Sequence, residues 1–281
     1  MDKILLMNKP AGMTSFDVVR QCRRILHEKK IGHTGTLDPE AQGFLIVLTG
    51  KYTKLLPFVI KDHKHYQARF LLGNRYDTQD IWGTLIQEKE WRFHEQEELD
   101  KVSSSFLGKG IQIPPMYSAV KVNGKKLYEY ARAGIEIERQ PRPVEISSLT
   151  VKHITDNEYS MDAVVSSGTY IRTLIEDYCT HLQEIGAMSY LLRSGIEDFD
   201  LSSAINLEDL KEDTPGISPL DILDPSLKKV DGTAFEKQIK DGKKIFLKDE
   251  EDRVVFVTDG APLAVYEKVN GTMYRSVRGL F

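Results

Sequence analysis

Apolar and polar side chains follow the spacing of β-strands in several short segments of the chain. Apolar runs of strand length occupy residues 3–7 and 44–48. Between residues 63 and 72 the side chains alternate, so that one face carries Tyr66, Ala68, Phe70 and Leu72. Further strands are predicted at residues 84–88, 143–154 and 160–166.

Apolar residues that recur every three or four positions predict helices elsewhere. The first helix is predicted to begin at Thr14 or Ser15, either of which can cap it, and to end near residues 29–30. Its apolar face carries Val18, Val19, Cys22, Ile25 and Leu26. Further helices are predicted near residues 95–107, 125–132, 171–185, 201–210 and 232–241.

Glycine, proline and asparagine mark the turns. Residues 73–83 are polar and loop-like, Pro114-Pro115 excludes a central strand at that point, and Asn123-Gly124 predicts a hairpin. A proline-containing linker covers residues 215–225.

The tail that follows this linker has a different pattern. Short strands are predicted at residues 253–258, 262–267 and 272–278, separated by Asp259-Gly260 and Asn270-Gly271. The tail is therefore predicted to be a small β-rich module of about 55 residues.

Composition bounds the class of protein. The chain has 281 residues, of which 41% are hydrophobic, enough for one large domain and a smaller one. It has no apolar run of transmembrane length, and residues 1–10 lack the apolar segment of a signal peptide. Cys22 and Cys179 are too few for a disulfide framework or a cysteine-based zinc site. We therefore expect a cytoplasmic protein that needs no metal.

The charge is distributed unevenly. The net charge is −4, yet residues 1–75 carry 13 Lys and Arg against 6 Asp and Glu, and residues 109–144 carry 7 against 3. Residues 76–108 between them carry 3 against 8. Two basic blocks of this kind are typical either of a phosphate-binding face or of a solvated surface.

Residues 32–39 contain two glycines and a proline, and they place Asp38 shortly before the strand at 44–48. Glycine permits unusual backbone angles, proline fixes φ, and the residue before a proline is extended. We expect a rigid loop that presents a carboxylate beside a buried strand, which is a common placement for a catalytic group. The alternative is a turn aspartate that bonds its own backbone.

Two further features suit RNA or an acidic partner. Residues 125–132 mix basic with aromatic side chains, which can hold phosphates and stack on bases, although an amphipathic surface helix has the same composition. Arg172 is predicted in the first turn of its helix, where the dipole disfavours a cation, so a carboxylate or phosphate partner is expected. His63 and His65 are spaced like metal ligands, but the nearby sequence offers no third ligand.

Several motifs in a fixed order carry a resemblance to a known family. They are Asn8-Lys9-Pro10-x-Gly12-x-Thr14-Ser15, Gly32-His33-Thr34-Gly35-Thr36-Leu37-Asp38-Pro39, Lys64-x-Tyr66, Pro114-Pro115-x-Tyr117-Ser118-Ala119-x-Lys121, Leu127-Tyr128-Glu129-x-Ala131-Arg132-x-Gly134 and Gly168-Thr169-Tyr170-Ile171-Arg172-Thr173. Together they resemble the TruB family of bacterial tRNA pseudouridine synthases, over residues 3 to about 200.

The resemblance implies conversion of uridine 55 in the T loop of tRNA to pseudouridine. It also implies an α+β fold, with a mixed central β-sheet flanked by helices and a small C-terminal β-rich module that is PUA-like and binds RNA. We therefore predict a catalytic domain at residues 1–222 and a PUA-like domain at residues 223–281. The implied partner is the T stem-loop of tRNA. No cofactor, metal, membrane or protein partner is implied, and we expect a cytoplasmic monomer.

The same resemblance assigns roles to individual residues. Asp38 matches the catalytic aspartate, Arg172 matches the arginine that pairs with it, and Tyr66 matches the tyrosine that lies against the target base. Residues that match further pocket and T-loop contacts are Tyr170, Leu191 and His33.

The chemistry suits these residue types. Isomerisation breaks the N1–C1′ bond of uridine, turns the base and forms a C5–C1′ bond, so no redox cofactor, ATP or metal is required. An ionised Asp38 near C1′ can act as a nucleophile or as a base toward the ribose, and an arginine beside it keeps it charged. Tyr66 can stack on the flipped base and is a candidate to remove the C5 proton, directly or through water.

Two other functions use some of the same residues. An RNA-binding protein or tRNA folding chaperone needs the basic surfaces but not the set of Asp38, Tyr66 and Arg172, although chaperoning can accompany catalysis. A hydrolase with Asp38 as nucleophile needs a positioned water and a second acid or base, for which we find no motif in the sequence.

Overall fold

The chain begins with strands and a helix that share one core. The computed structural model describes residues 1–60, 62–248 and 250–281. The first elements are β1 (Ile4–Lys9), α1 (Ser15–Ile25), β2 (Ile31–His33) and β3 (Gln42–Thr49), followed by a 3-10 helix over Gly50–Phe58. β3 pairs antiparallel with both β1 and β2. Gly32 and His33 thus belong to a strand, and the loop begins two residues later than residues 32–39 suggest.

The start of α1 follows from its capping residues. The Thr14 side chain accepts a hydrogen bond from the Asp17 amide, and the Asp17 carboxylate accepts one from the Thr14 amide. This capping box satisfies amides that have no partner within the helix. Of the two predicted caps, the structure selects Thr14. The helix ends at Ile25, before the predicted end at residues 29–30, and His27 has a left-handed φ of 50°.

The apolar face of α1 is buried as predicted. Val18, Val19, Cys22 and Leu26 pack with residues of β1, β2 and β3, and Ile25 is partly buried against them. Burial raises the pKa of the Cys22 thiol to about 11, as an apolar environment disfavours the thiolate.

The next part of the chain alternates long strands with helices. Its elements are β4 (Lys64–Leu72), β5 (Asn74–Tyr76), β6 (Leu85–Glu88), α2 (Gln96–Ser105), β7 (Gly108–Gln112), β8 (Lys121–Val122), β9 (Lys125–Lys126), α3 (Leu127–Arg132), β10 (Arg142–Thr155), β11 (Glu158–Val165), α4 (Ile171–His181) and β12 (Gly186–Ile196). The order β12–β4–β11–β10–β7 is antiparallel throughout.

Most predictions for this part are confirmed, and two are corrected. The predicted inward face of β4 is buried, with Phe70 stacked on Tyr159 at a centroid distance of 5.6 Å. Residues 74–76 of the predicted loop form β5, which pairs with β6. Residues 125–126 form the second strand of the predicted hairpin rather than a helical turn, so α3 begins at Leu127.

The remaining elements are short. They are β13 (Phe199–Asp200), β14 (Ile205–Asn206), β15 (Lys228–Asp231), α5 (Glu236–Lys240), β16 (Ile245–Phe246), β17 (Arg253–Thr258), β18 (Ala261–Asn270) and β19 (Met273–Gly279). The predicted helix at 201–210 is wrong. Two 3-10 turns, Leu201–Ser203 and Leu207–Asp209, flank β14, which runs parallel to β1. Backbone pairing with β1 prevails there over a weak local preference for helix.

The predicted β-rich tail is confirmed as a sheet in the order β15–β17–β18–β19–β16. Asp259 and Gly260, with φ of 50° and 73°, form the tight turn between β17 and β18. The core of this module contains Ile239, Ile245, Val254, Phe256, Ala264, Tyr266 and Tyr274. The sequence pattern missed β15 and β16, whose few residues carry no clear alternation.

The described residues group into two compact units. The first unit comprises Met1–Lys61 and Phe199–Phe281, and the second comprises Asp62–Asp198. The α+β class is confirmed, and the mixed character of a sheet is visible in β1, which runs parallel to β14 and antiparallel to β3. The domain boundary between residues 222 and 223 stays a prediction. None of the helices in the described ranges has the length and apolar content needed to cross a bilayer.

Candidate active site

Asp38 lies on an irregular loop between β2 and β3, in the first unit. The loop leaves the sheet at Thr34, whose amide donates to the Ile46 carbonyl at 3.0 Å, and Gly35 has a positive φ of 69°. Asp38 is half-buried, and its own carbonyl accepts from the Ala41 amide at 3.1 Å. The irregular turn that the glycines and proline predict is therefore present, with its carboxylate at the boundary of the core.

The residue before Asp38 is anchored to the start of α1. The Leu37 amide donates to the Ser15 hydroxyl at 2.9 Å, and both residues are buried. Ser15 is available for this bond because Thr14, and not Ser15, caps the helix. The anchor fixes the backbone on the N-terminal side of Asp38.

The residue after Asp38 is anchored by a buried lysine. Lys9 is 0% exposed, and its ammonium donates to the Pro39 carbonyl at 3.0 Å and to the carbonyls of Pro10 and Met13. One cation thus joins the loop that follows β1 to the loop that carries Asp38. Hydrogen bonds from a charged donor are stronger than neutral ones, so Asp38 is held on both sides.

His33 ends β2, where it lies opposite Val47 of β3 and is half-buried. It precedes the irregular part of the loop, so its backbone is fixed by the strand pairing. Its contact with a T loop stays a prediction.

Tyr66 and Leu191 share one face of the sheet in the second unit. Tyr66 lies opposite Arg193 of β12, and Leu191 lies opposite Ala68 of β4. Because side chains two positions apart on a strand point the same way, Tyr66, Leu191 and Arg193 are neighbours on one face. Tyr66 is 8% exposed and Leu191 is 6% exposed.

Arg172 lies in the first turn of α4 and is 4% exposed. Its guanidinium donates to the carbonyl of Thr78 at 2.7 Å and to that of Tyr117 at 2.9 Å. Its Nε lies 3.8 Å from the Asp80 carboxylate. The predicted carboxylate partner at this helix start therefore includes Asp80, which the sequence analysis did not single out.

Tyr170 occupies the N-cap position of α4 and is fixed by Gln112 at the end of β7. Gln112 accepts from the Tyr170 amide at 2.8 Å and donates to the Tyr170 carbonyl at 3.1 Å. Tyr117, whose carbonyl accepts from Arg172, also donates from its hydroxyl to the Asp77 carboxylate at 3.2 Å. Burial and the charge of Asp77 raise the pKa of Tyr117, so this phenol stays protonated at neutral pH.

The polar segment around Asp80 is bonded to α4. Arg75 forms an ion pair of 2.6 Å with Glu176, and the Gln79 amide also donates to Glu176. Thr173 donates to the Gln79 side-chain oxygen at 3.0 Å. These bonds fix the segment that supplies the Thr78 carbonyl and Asp80 to Arg172.

The basic and aromatic residues of 125–132 form paired contacts on and beside α3. Lys126 and Arg132 lie 5.4 Å from the ring centroid of Tyr128, and Lys125 lies 5.9 Å from that of Tyr130. This combination of rings and cations suits single-stranded nucleic acid.

His63 lies beside a carboxylate. Its Nδ1 lies 3.0 Å from the Glu197 carboxylate. Within the described ranges, no group of three His, Cys, Asp or Glu side chains is placed to hold a metal ion.

The predicted site residues fall in both units. Asp38 and His33 belong to the first, and the second contains Tyr66, Tyr170, Arg172 and Leu191. The pairing of Asp38 with Arg172 stays a prediction. Sequence reasoning missed the supporting roles of Lys9, Ser15, Asp80 and Gln112, although Lys9 and Ser15 lie in a quoted motif and Gln112 lies two residues before the start of another.

Comparison with known proteins finds relatives that match most of the chain. The model of the TruB family pseudouridylate synthase N-terminal domain matches residues 23–171. The tRNA pseudouridine synthase B of Oceanobacillus iheyensis is 40% identical over 281 residues, which cover 95% of this chain and 93% of that protein. The tRNA pseudouridine synthase B of Mesoplasma florum is 36% identical and covers 98% of this chain and 97% of that protein.

Solved structures show the same fold. A chain of the crystal structure of a Cbf5-Nop10-Gar1 complex matches with a TM-score of 0.72 and 24% identity. The match covers 99% of this chain and 85% of that chain, so it includes the C-terminal sheet.

Proposed function

The chain belongs to the TruB family of pseudouridylate synthases and isomerises uridine in tRNA, and we propose that its target is uridine 55 of the T loop. The observation that carries this proposal is 40% identity to a tRNA pseudouridine synthase B over 95% of the chain, joined to an aspartate that the structure anchors on both sides.

The reaction exchanges one glycosidic bond for another. The N1–C1′ bond breaks, the detached uracil turns, and C5 bonds to C1′. The proton that leaves C5 is balanced by the one that N1 gains, so nothing is consumed. Catalysis therefore depends on placing charged and aromatic groups against a flipped nucleotide.

Asp38 is the group that we propose to act at the ribose, as nucleophile at C1′ or as base. Its carboxylate is half-buried, while the backbone on either side is fixed by Ser15 and Lys9. A fixed backbone reduces the reorganisation needed to reach the reactive geometry. This supports catalysis by Asp38 over an ordinary role in a turn.

The face of the sheet that carries Tyr66 and Leu191 is proposed to hold the flipped base. A tyrosine ring provides a surface on which uracil can stack, and its hydroxyl can receive or relay the C5 proton. Arg172 is proposed to pair with Asp38 through a planar guanidinium that Asp80 and two carbonyls hold in orientation.

Binding of the remaining tRNA is proposed to use the ring-and-cation contacts of residues 125–132 and a PUA-like module at residues 223–281. We propose that the enzyme acts as a cytoplasmic monomer, without a cofactor or a required protein partner. Chaperoning of tRNA folding is compatible with the same surfaces.

The proposal is tested by the modification of a tRNA transcript whose T loop carries uridine 55. Carbodiimide labelling should reveal pseudouridine at that position. The mass of the unlabelled tRNA should be the same before and after the reaction. Asp38→Asn keeps the shape of the side chain and removes its charge. We expect it to abolish product formation while tRNA affinity stays within about fivefold, because uncharged Asn can neither attack C1′ nor accept a proton there.

A control transcript with cytidine at position 55 should remain unmodified. Turnover by Asp38→Asn well above background in a single-turnover assay would contradict the catalytic role of Asp38. Cleaved RNA would indicate a hydrolase, and binding without modification would indicate an RNA-binding protein.

A further inference from the structure

The exposed side of α1 carries an aromatic ring between guanidinium groups. Phe16 is 53% exposed, and the guanidinium carbons of Arg20 and Arg23 lie 5.7 and 5.5 Å from its ring centroid. Residues four and seven positions apart on a helix form one stripe, here on a different face from the buried Val18. Arg20 also forms an exposed pair of 3.3 Å with Asp17, and such pairs are weak.

A cationic cavity continues the stripe beyond the helix. It has a volume of about 390 Å³ and is lined by Arg23, His27, Glu28 and Lys29. The Nε atom of Arg23 is shielded from solvent and has no hydrogen-bond partner among the described residues. A buried donor of this kind favours a ligand that supplies an acceptor.

The acidic residue of this cavity is already engaged. Glu28 accepts from the Met1 amino group at 2.6 Å and from the Lys30 amide at 2.8 Å. The bond from the amino group, followed by the one from Lys30, lowers the pKa of Glu28. The remaining lining is therefore rich in cations and donors, as an anion-binding site requires.

The stripe starts next to the loop that carries Asp38. Ser15, the neighbour of Phe16, binds Leu37, the neighbour of Asp38, at 2.9 Å. At about 1.5 Å per residue, α1 extends roughly 14 Å from Phe16 to Ile25. An RNA strand with its target nucleotide at Asp38 would therefore meet the stripe with nucleotides that flank the target.

We propose that Phe16, Arg20 and Arg23, with the cavity at His27 and Lys29, form an RNA-contact surface, named here the α1 stripe. Phe16 stacks against one base of the tRNA substrate outside the catalytic pocket, and the arginines and the cavity bind adjacent phosphates. Basic side chains dominate this part of the chain, with 13 Lys and Arg against 6 Asp and Glu in residues 1–75, which matches a polyanion. The proposal rests on the proposed function, since that function supplies RNA as the ligand.

The test is the affinity of full-length tRNA transcript for the purified enzyme across a series of salt concentrations. Phe16→Leu keeps an apolar side chain but removes the aromatic face, and we expect the Kd to rise about 5- to 100-fold, as loss of one stacked base produces. Arg23→Ala should raise the Kd and reduce the slope of log Kd against log salt by about 0.7 to 0.9, the value of one phosphate contact. Lys152→Ala, which removes an exposed charge from β10, is the matched control and should change neither quantity.

Thermal melting of each variant verifies that it is folded. The proposal is overturned if Phe16→Leu and Arg23→Ala bind like the wild type, or if Lys152→Ala weakens binding as much as Arg23→Ala does. The proposal is also overturned if the α1 stripe binds a protein and the stripe variants keep the wild-type affinity for tRNA. Pseudouridine formation by the wild type, measured in parallel, reports on the proposed function separately, so failure of one is distinguishable from failure of the other.

Discussion

At the scale of single residues, the Tyr66 side chain can contribute in two ways, through its aromatic ring and through its hydroxyl. Its ring lies on the same face as Leu191, and its hydroxyl is the part that can take part in proton transfer. Phenylalanine keeps the ring and removes the hydroxyl, so it isolates the second contribution.

We expect Tyr66→Phe to retain tRNA affinity and to slow isomerisation by about 100-fold or more, the range of general acid–base catalysis. Single-turnover release of tritium from C5-labelled uridine, measured with the Kd, checks this. Tyr76→Phe, at a half-buried tyrosine of β5, serves as the control. An unaltered release rate would leave stacking as the role of Tyr66.

Arg172 is a residue whose partners require the planar guanidinium. It donates in two directions to the carbonyls of Thr78 and Tyr117, with Asp80 near its Nε. The ammonium of lysine keeps the charge but lacks this fixed geometry.

Arg172→Lys should therefore reduce the rate strongly and also lower the free energy of unfolding by about 1–3 kcal/mol, because buried acceptors lose a partner. Urea denaturation and single-turnover kinetics measure the two effects. Arg142→Lys at the exposed start of β10 should change neither. A fully active Arg172→Lys enzyme would show that the guanidinium geometry is not needed.

At the scale of elements, the loop that carries Asp38 is held through its neighbours rather than through its own packing. Lys9, at the end of β1, bonds the Pro39 carbonyl, and Ser15, in the first turn of α1, bonds Leu37. A change in either anchor should therefore reach catalysis without touching the substrate.

Lys9→Met removes the ammonium while keeping a side chain of similar length. We expect the free energy of unfolding to fall by about 2 kcal/mol or more, hydrogen exchange in residues 34–41 to accelerate, and kcat to fall while the Kd for tRNA changes little. Lys3→Met is a matched control, since Lys3 also donates to backbone carbonyls, those of Glu212 and Thr214. It should lower stability without altering kcat, and an equal loss of kcat in both variants would contradict a specific role for Lys9.

At the scale of the whole molecule, the C-terminal sheet has its own core, formed around Phe256 and Tyr266. Near its start, the Asp224 amide donates to the Phe58 carbonyl and the Ile60 amide donates to the Ile222 carbonyl. A truncation placed after Ser226 keeps both of these bonds and removes the sheet.

Such a truncation should weaken binding of full-length tRNA and reduce its salt dependence, because basic residues of the module no longer contact phosphates. An isolated T stem-loop should remain a substrate with a rate close to that of the intact enzyme. Paired assays on the two RNAs check this, and equal binding of full-length tRNA with and without residues 227–281 would refute an RNA-binding role for the module.

The sequence by itself determined the elements whose signals are local. Alternation along residues 63–72, the capping residues before α1 and the Asp259-Gly260 turn each depend on neighbours a few positions away, and all three are present in the structure. The family motifs single out an aspartate, a tyrosine and an arginine as candidate site residues, and their roles stay predictions.

Only the tertiary structure decided which distant groups meet. The short strand at Ile205–Asn206 replaces a predicted helix because β1 offers it a backbone partner, and Lys9 and Arg172 each find at least one acceptor on a loop distant in sequence. The physical reason is that these acceptors are backbone carbonyls. Every residue has one, so side-chain identity does not reveal which carbonyl a buried cation will bind, and the choice depends on how the chain folds.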